Sequence, residues 1–350
     1  MIRQLEPLAD GPERLDLLIK LVDELNWKDL ERAKAYGFSA LRLAQHLDDP
    51  IRTGFVMIEL SHNYDSFMNK DSALYYCEEA ISLFRAHEHQ EGEAQGYLRL
   101  GYIAENEGNF TAATNHLFEA LRLFEQAETT YGMTKAYIGL GKLYFKMDKF
   151  EEGISMTSKA GELIESNSPD ELVAYFHLVM GNNYRGAGQY QSAIHHYEQC
   201  QTLAFANGYN IDLLYTYTFL GDIYQELGQY DRSREHYEQA IGYARAYKDK
   251  HLETFPFIGS GRLYNKMGQY DQAISQFEVA MGARTERVHN YYWHEIYREL
   301  SIAHAGLGNY KQALEHMQHY SMLRDSFFTD RSDRLMAEMQ TQYETKQKEQ

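Results

Sequence analysis

The 350-residue chain carries a formal net charge of −17, with 34 Lys and Arg against 51 Asp and Glu. An acidic field of that size argues against a nucleic-acid surface, which shows a basic stripe or patch. No run approaches 18 apolar residues, so no membrane span is expected, and the N-terminus lacks the apolar core of a signal peptide. Only five prolines and 25 glycines interrupt a sequence otherwise suited to helix throughout.

Residues 1–11 read as a short lead-in. Asp10-Gly11-Pro12 predicts a helix start, because proline tolerates the first turn, where its missing N–H is not needed. Asp48-Asp49-Pro50 predicts the end of a first helix pair, since proline cannot continue a helix. From there a forty-residue step governs the chain. It links Ser61, Gly101, Gly141, Gly181, Gly221, Gly261 and Ser301, and likewise Tyr144, Tyr184, Tyr224 and Tyr264. It also links Ala33, Ala73, Ala113, Ala193, Ala273 and Ala313, with Gly153 and Ser233 in the gaps. The stretch Leu220 to Ala240 shows the unit most clearly: two amphipathic helices joined at Gly228-Gln229-Tyr230. Small residues at Gly221, Ser233 and Ala240 allow close approach, and Tyr224, Tyr230 and Tyr237 fill the remaining space. A fixed period of this size indicates a solenoid of stacked helix pairs.

Gly108, Gly188, Gly228, Gly268 and Gly308 mark turns within repeats, with Asn69-Lys70 and Asp148-Lys149 in the same place. Ser166 to Pro169 is the clearest break between repeats, and Pro256 predicts a mild irregularity near a helix start. Eight repeats are expected over residues 12–323. The first is atypical, with Leu21 and Glu24 where glycine and tyrosine otherwise stand, as suits a cap. Beyond Leu323 the period stops. Residues 324–350 contain no glycine or proline and keep apolar residues at Phe327, Phe328, Leu335, Met336, Met339 and Tyr343. They read either as a capping helix or as a connector that pairs with its twin in a homodimer. Because no stop signal closes the sequence, the chain is expected to be a piece of a longer protein.

Leu220-Gly221, Tyr224, Tyr237 and Ala240, and again Met180-Gly181, Tyr184, Ala193 and Tyr197, resemble the tetratricopeptide repeat. The usual period is about 34 residues, and the forty found here is similar to the long repeats of Rap-type peptide receptors, Pins/LGN polarity adaptors and bacterial signalling proteins. The resemblance implies an all-α, TPR-type α-solenoid, a right-handed superhelix of helix-turn-helix repeats with a C-terminal extension helix. In the signalling proteins, segments like Leu335 to Lys346 lead to a histidine kinase, a nucleotide cyclase or a diguanylate cyclase. Rap-type receptors act on response regulators through a helical bundle ahead of the repeats, for which a start near Pro12 leaves no room here.

No catalytic motif emerges. Gly139-Leu140-Gly141-Lys142 lacks the upstream glycine of a phosphate loop, and it and Gly259-Ser260-Gly261 read as helix-packing positions. His195, His196, His316 and His319 read as surface histidines, because no carboxylate or cysteine cluster completes a metal site. Cys77 and Cys200 read as buried thiols of a reducing compartment. No enzyme activity, cofactor or metal is expected, and a cytoplasmic location is.

The informative positions are those that first helices do not spend on the core. The architecture places first helices on the concave face, where Lys142, Lys146, Asn182, Arg185, Asp222, Gln225, Arg262, Asn265 and Arg298 form a cationic groove with side-chain amides. Repeats two and three offer His62, Asp65, Tyr102 and Glu105 instead. Amides hold an extended backbone, and arginine grips a carboxylate with two parallel bonds. Asn182 occupies, by resemblance, the position at which peptide-binding relatives use asparagine. The expected partner is a peptide or protein segment, acidic or ending in a free carboxylate.

Overall fold

The computed structural model describes residues 8–26, 29–246, 251–282 and 290–323, all helical apart from short joints and without a strand. Two compact units are present, Met1–Gln189 and Tyr190–Gln350. The first holds α1 (Pro12–Asn26), α2 (Leu30–His46), α3 (Pro50–Ser66), α4 (Lys70–Ala86), α5 (Gln90–Asn106), α6 (Phe110–Gln126), α7 (Thr130–Lys146), α8 (Phe150–Leu163) and α9 (Asp170–Gly186). The second holds α10 (Tyr190–Asn207), α11 (Asn210–Glu226), α12 (Tyr230–Ala246), α13 (His251–Lys266), α14 (Tyr270–Gly282), α15 (Asn290–Gly306) and α16, residues 310–323. The unit boundary falls between the two helices of the fifth expected repeat.

The forty-residue period resolves into two equal halves. A helix of 17 residues is followed by a three-residue joint, and the same joint serves within repeats and between them. Its middle residue is left-handed at Gly108, Gly188, Gly228, Gly268 and Gly308, but equally at Asp48, Met68, Glu88, Glu128 and Asp148. The joint after α5 shows how it works. Gly108 N–H donates to Glu105 C=O (3.0 Å) and Asn109 N–H to Ala104 C=O (2.9 Å), closing the helix. The Asn109 side chain then accepts from Ala112 N–H (3.0 Å), opening the next. Asp49, Asn69 and the Nδ1 of His89 cap in the same way. Sequence reading found the glycine joints and those at Asp48, Asn69 and Asp148, and missed the left-handed residues at Glu88 and Glu128, because glutamate carries no turn signal of its own. The expected break at Ser166 to Pro169 is real: α8 stops after 14 residues at Leu163. Pro256 lies inside α13, which continues through it.

The small positions do what their spacing predicts. A Cβ at Gly221 would lie 2.7 Å from the ring of Tyr237, and one at Gly261 would lie 2.5 Å from that of Phe277. Tyr237 and Phe277 are fully buried there. Where serine replaces glycine, its hydroxyl serves the neighbouring backbone: Ser61 Oγ donates to Ala73 C=O (2.7 Å) and Ser301 Oγ to Ala313 C=O (2.9 Å). Gly139 to Lys142 and Gly259 to Gly261 sit inside α7 and α13, as helix-packing positions. Cys77 and Cys200 are buried and unbonded to each other, and burial pushes the Cys77 thiol up to about 12.

Each hydrophobic cluster spans one helix pair and reaches into the first helix of the next, as with Leu117, Ala120 and Phe124 against Ala136, Leu140 and Leu143. Within each unit, first helices also touch one another in succession: α1, α3, α5, α7 and α9 in one, α11, α13 and α15 in the other. The face built by first helices is therefore the inner, more closely spaced one. The last described helix differs from its equivalents. Met317 is 41% exposed, whereas Leu117, Tyr197 and Phe277 at the same position are inaccessible, and Leu314 and Tyr310 are exposed beside it. Residues 324–350, expected to be a cap or connector, lie outside the described residues.

Candidate peptide-binding groove

In the first unit the groove face carries an ion-pair ladder between successive first helices. Lys142 and Lys146, on the last two turns of α7, both reach back to Glu105 on α5, at 3.0 and 2.6 Å. The Glu105 side chain has no accessible surface, while the two lysines keep about a third of theirs. Burial alone would raise the Glu105 carboxyl, but the two ammonium groups outweigh it and hold it below the usual carboxylate range. Lys142 also lies over the Tyr102 ring, 5.5 Å from its centre. One step earlier, Arg99 pairs with Asp65, which also accepts from Asn106 Nδ2 (3.0 Å). His62 sits beside that pair, and burial, with Arg99 and Lys135 nearby, lowers its imidazole to about 3. Two lysines on one carboxylate leave a surplus of one positive charge at the α5–α7 step.

Asn182 is half-buried on α9, and Arg185 lies over the Phe145 ring at 5.8 Å. The neighbouring asparagine is the scaffold residue. Asn183 is fully buried and donates to Gly141 C=O (3.2 Å) and Val179 C=O (3.0 Å), tying α9 to α7. Sequence reading passed over it, although a polar residue standing where Leu143, Ile223 and Leu263 stand was a usable signal.

In the second unit the expected cations are held by neighbours. Arg262 donates through Nη2 to Asp222 Oδ1 (2.7 Å) and through Nη1 to Glu295 Oε1 (2.6 Å), linking α11, α13 and α15. Tyr237 Oη donates to the same Asp222 oxygen (2.7 Å), so a core residue of α12 reaches the groove network. Gln225 is buried beside that hydroxyl. Asn265 Nδ2 donates to Glu299 C=O and Oε2, both at 3.0 Å, and Arg298 Nη2 to Glu299 Oε1 (2.7 Å). Lys266 pairs with Glu226 at 2.9 Å. The open cationic groove expected from composition is thus largely neutralised by carboxylates of adjacent first helices. Glu295 and Glu299 were the missed partners; they stand where Phe255 and Gly259 stand one repeat earlier. The histidines also need correcting: His316 is half-buried and stacked on Tyr297 and His304.

Stacked helix pairs, small-against-large contacts and a first-helix inner face together match a known repeat. The tetratricopeptide-repeat family profile matches residues 171–246 and 212–286. Residues 171–286 are tetratricopeptide repeats. A search of curated proteins finds no match. Among solved structures, a Rap protein complexed with competence and sporulation factor is similar over 90% of this chain and 98% of its own, with 11% identity and a TM-score of 0.62. The signal-transduction ATPase (STAND) protein PH0952 from Pyrococcus horikoshii, which has a tetratricopeptide-repeat sensor, is 18% identical, with a TM-score of 0.63 over 90% of this chain and 49% of that one. The apo quorum sensor NprR from B. thuringiensis is 14% identical, with a TM-score of 0.57 over 89% and 97%. At these identities the likeness is one of fold. Among the described residues no three His, Cys, Asp or Glu side chains converge as a metal site would require, and no helix is long and apolar enough to cross a membrane.

Proposed function

We propose that the chain is a non-catalytic binding region of a bacterial signalling protein and takes an extended peptide or partner segment on its first-helix face. The observation that carries this is the α5–α7 step, where Lys142 and Lys146 share Glu105 and leave one positive charge on the groove wall. A ligand carboxylate would find two partly hydrated ammonium groups there, with the Tyr102 ring beside them. Asn182 and Arg185 complete the proposed surface of the first unit, and Asp222, Gln225, Arg262, Asn265 and Arg298 form the proposed first-helix surface of the second, taken by itself. Of these, Gln225 and Asn265 act as supports, because their polar groups are spent on the scaffold. The Rap protein complexed with competence and sporulation factor and the quorum sensor NprR share the fold, and so support a peptide receptor as the working class.

The test is fluorescence anisotropy with a labelled peptide library ending in free or amidated carboxyl groups. Lys142→Met with Lys146→Met is expected to abolish selection of acidic or free-carboxyl sequences, and Glu105→Gln to strengthen it by freeing both lysines. If both variants select the same peptides as wild type, the groove reading fails.

The bare α16 face favours a companion reading of the domain layout: eight repeats over residues 12–323, with residues 324–350 covering Leu314 and Met317 or joining a second copy as the connector of a kinase or cyclase. Light scattering on the chain with and without residues 324–350 separates the two. A dimer that becomes monomeric on truncation supports the connector; a monomer in both supports the cap.

A further inference from the structure

The repeats offer an internal comparison at the joint face between first and second helices. In the second repeat Tyr64 stacks on Tyr76, with ring centres 5.5 Å apart and 9° between planes. In the sixth, Tyr224 stacks on His236 at 5.0 Å and 11°. In the last described pair both places are histidine: His304 of α15 stacks on His316 of α16 at 5.1 Å and 15°. The first of these positions is tyrosine at residues 64, 144, 184, 224 and 264. Tyr297 extends the stack on the same side, 5.9 Å from His316 and 5.0 Å from His319.

His304 is 9% exposed, and the Nδ1 atoms of His304 and His316 are both buried without a hydrogen-bond partner. A proton added to either atom becomes a buried cationic donor with no acceptor. In the sixth repeat His236 faces the ring of Tyr224, and no second imidazole lies opposite it to repel a proton. Two imidazoles facing each other repel once both are charged.

We propose that the His304–His316 stack is an acid-sensitive latch that holds α16 against α15 at neutral pH and releases it on acidification.

The surroundings give the sign. Burial lowers the His316 imidazole, and His304 and His319 lower it further; Glu315 acts the other way. The charged groups of the neighbouring helices are engaged elsewhere: Arg262 with Asp222 and Glu295, Lys266 with Glu226, Arg298 with Glu299. The two carboxylates of α14, Asp271 and Glu278, are exposed. A folded state that favours the neutral ring contributes stability above the unfolded value of about 6.5, and that stability is lost as pH falls below it. The helix at risk is already thinly held, since Tyr310, Leu314 and Met317 are exposed.

The experiment is amide hydrogen exchange of the full chain at pH 7.5 and 5.0, corrected for intrinsic rates, read by mass spectrometry over α16 and, as a reference helix without histidine, over α8. Protection over α16 is expected to fall about tenfold for each unit by which the folded and unfolded pKa values differ within that pH range, with α8 unchanged. His304→Tyr restores the residue used by five other repeats and is expected to weaken the pH dependence of α16, because burial of His316 remains; His316→Gln copies Gln276 and is expected to remove it. Equal protection at the two pH values in wild type, or the same acid loss in both variants, overturns the proposal.

Discussion

Replacing Glu105 by Gln tests the α5–α7 step directly. Two ammonium groups lie 3.0 and 2.6 Å from one carboxylate oxygen, and that side chain is inaccessible. At an effective dielectric of about 40, between a surface pair and bulk water, each contact is worth roughly 3 kcal/mol of Coulomb attraction. Desolvation of Glu105 returns several kcal/mol, and the third of each lysine that stays wet screens what remains. The net loss expected at pH 7 is therefore about 1–2 kcal/mol. The carboxyl is held below its usual range in the folded chain, so the pair contributes fully above the unfolded value of about 4.3 and fades as pH falls through the lower folded value. Urea unfolding followed by circular dichroism at pH 7 and pH 3 reads both. The variant should unfold earlier at pH 7 and approach wild type at pH 3. An identical deficit at both pH values would refute the reasoning, because it would assign the loss to the shape of the amide.

Three further outcomes follow from packing and backbone. Gly261→Ala places a methyl 2.5 Å from the Phe277 ring, which is fully buried, and is expected to cost about 1–3 kcal/mol in thermal unfolding. Asn109→Ala removes the cap that accepts from Ala112 N–H and is expected to cost about 1 kcal/mol, seen as faster amide exchange in the first turn of α6. Met68→Gly relieves a left-handed residue (φ 57°) at an exposed joint and is expected to stabilise by up to about 1 kcal/mol, read as a higher midpoint in urea.

The helix pairs were legible because their determinants are near in sequence and repeat. Gly221 meets Tyr237 sixteen residues on, and Gly261 meets Phe277 at the same distance, so spacing alone reveals the contact. The acidic joints at Glu88 and Glu128 were illegible for the opposite reason: the hydrogen bonds of the joint impose their left-handed backbone, not their own preference. The charged residues of the first-helix face were legible as to their helix and illegible as to their ion pairs. Stepping along first helices found Lys142 and Arg262, but nothing local to either shows which carboxylate it meets.

The amino-acid sequence by itself determined the helix pair, its forty-residue repetition and the small-against-large contacts, because these are set by side-chain volume at short, regular separations. Tertiary structure alone decided which charges are spent. Glu105 meets Lys142, Asp222 meets Arg262 and Arg262 meets Glu295 across 37, 40 and 33 residues, where only the stacking of one first helix on the next brings the side chains within reach. Long side chains on adjacent helices have several partners in range, and burial of one carboxylate, as at Glu105, selects among them.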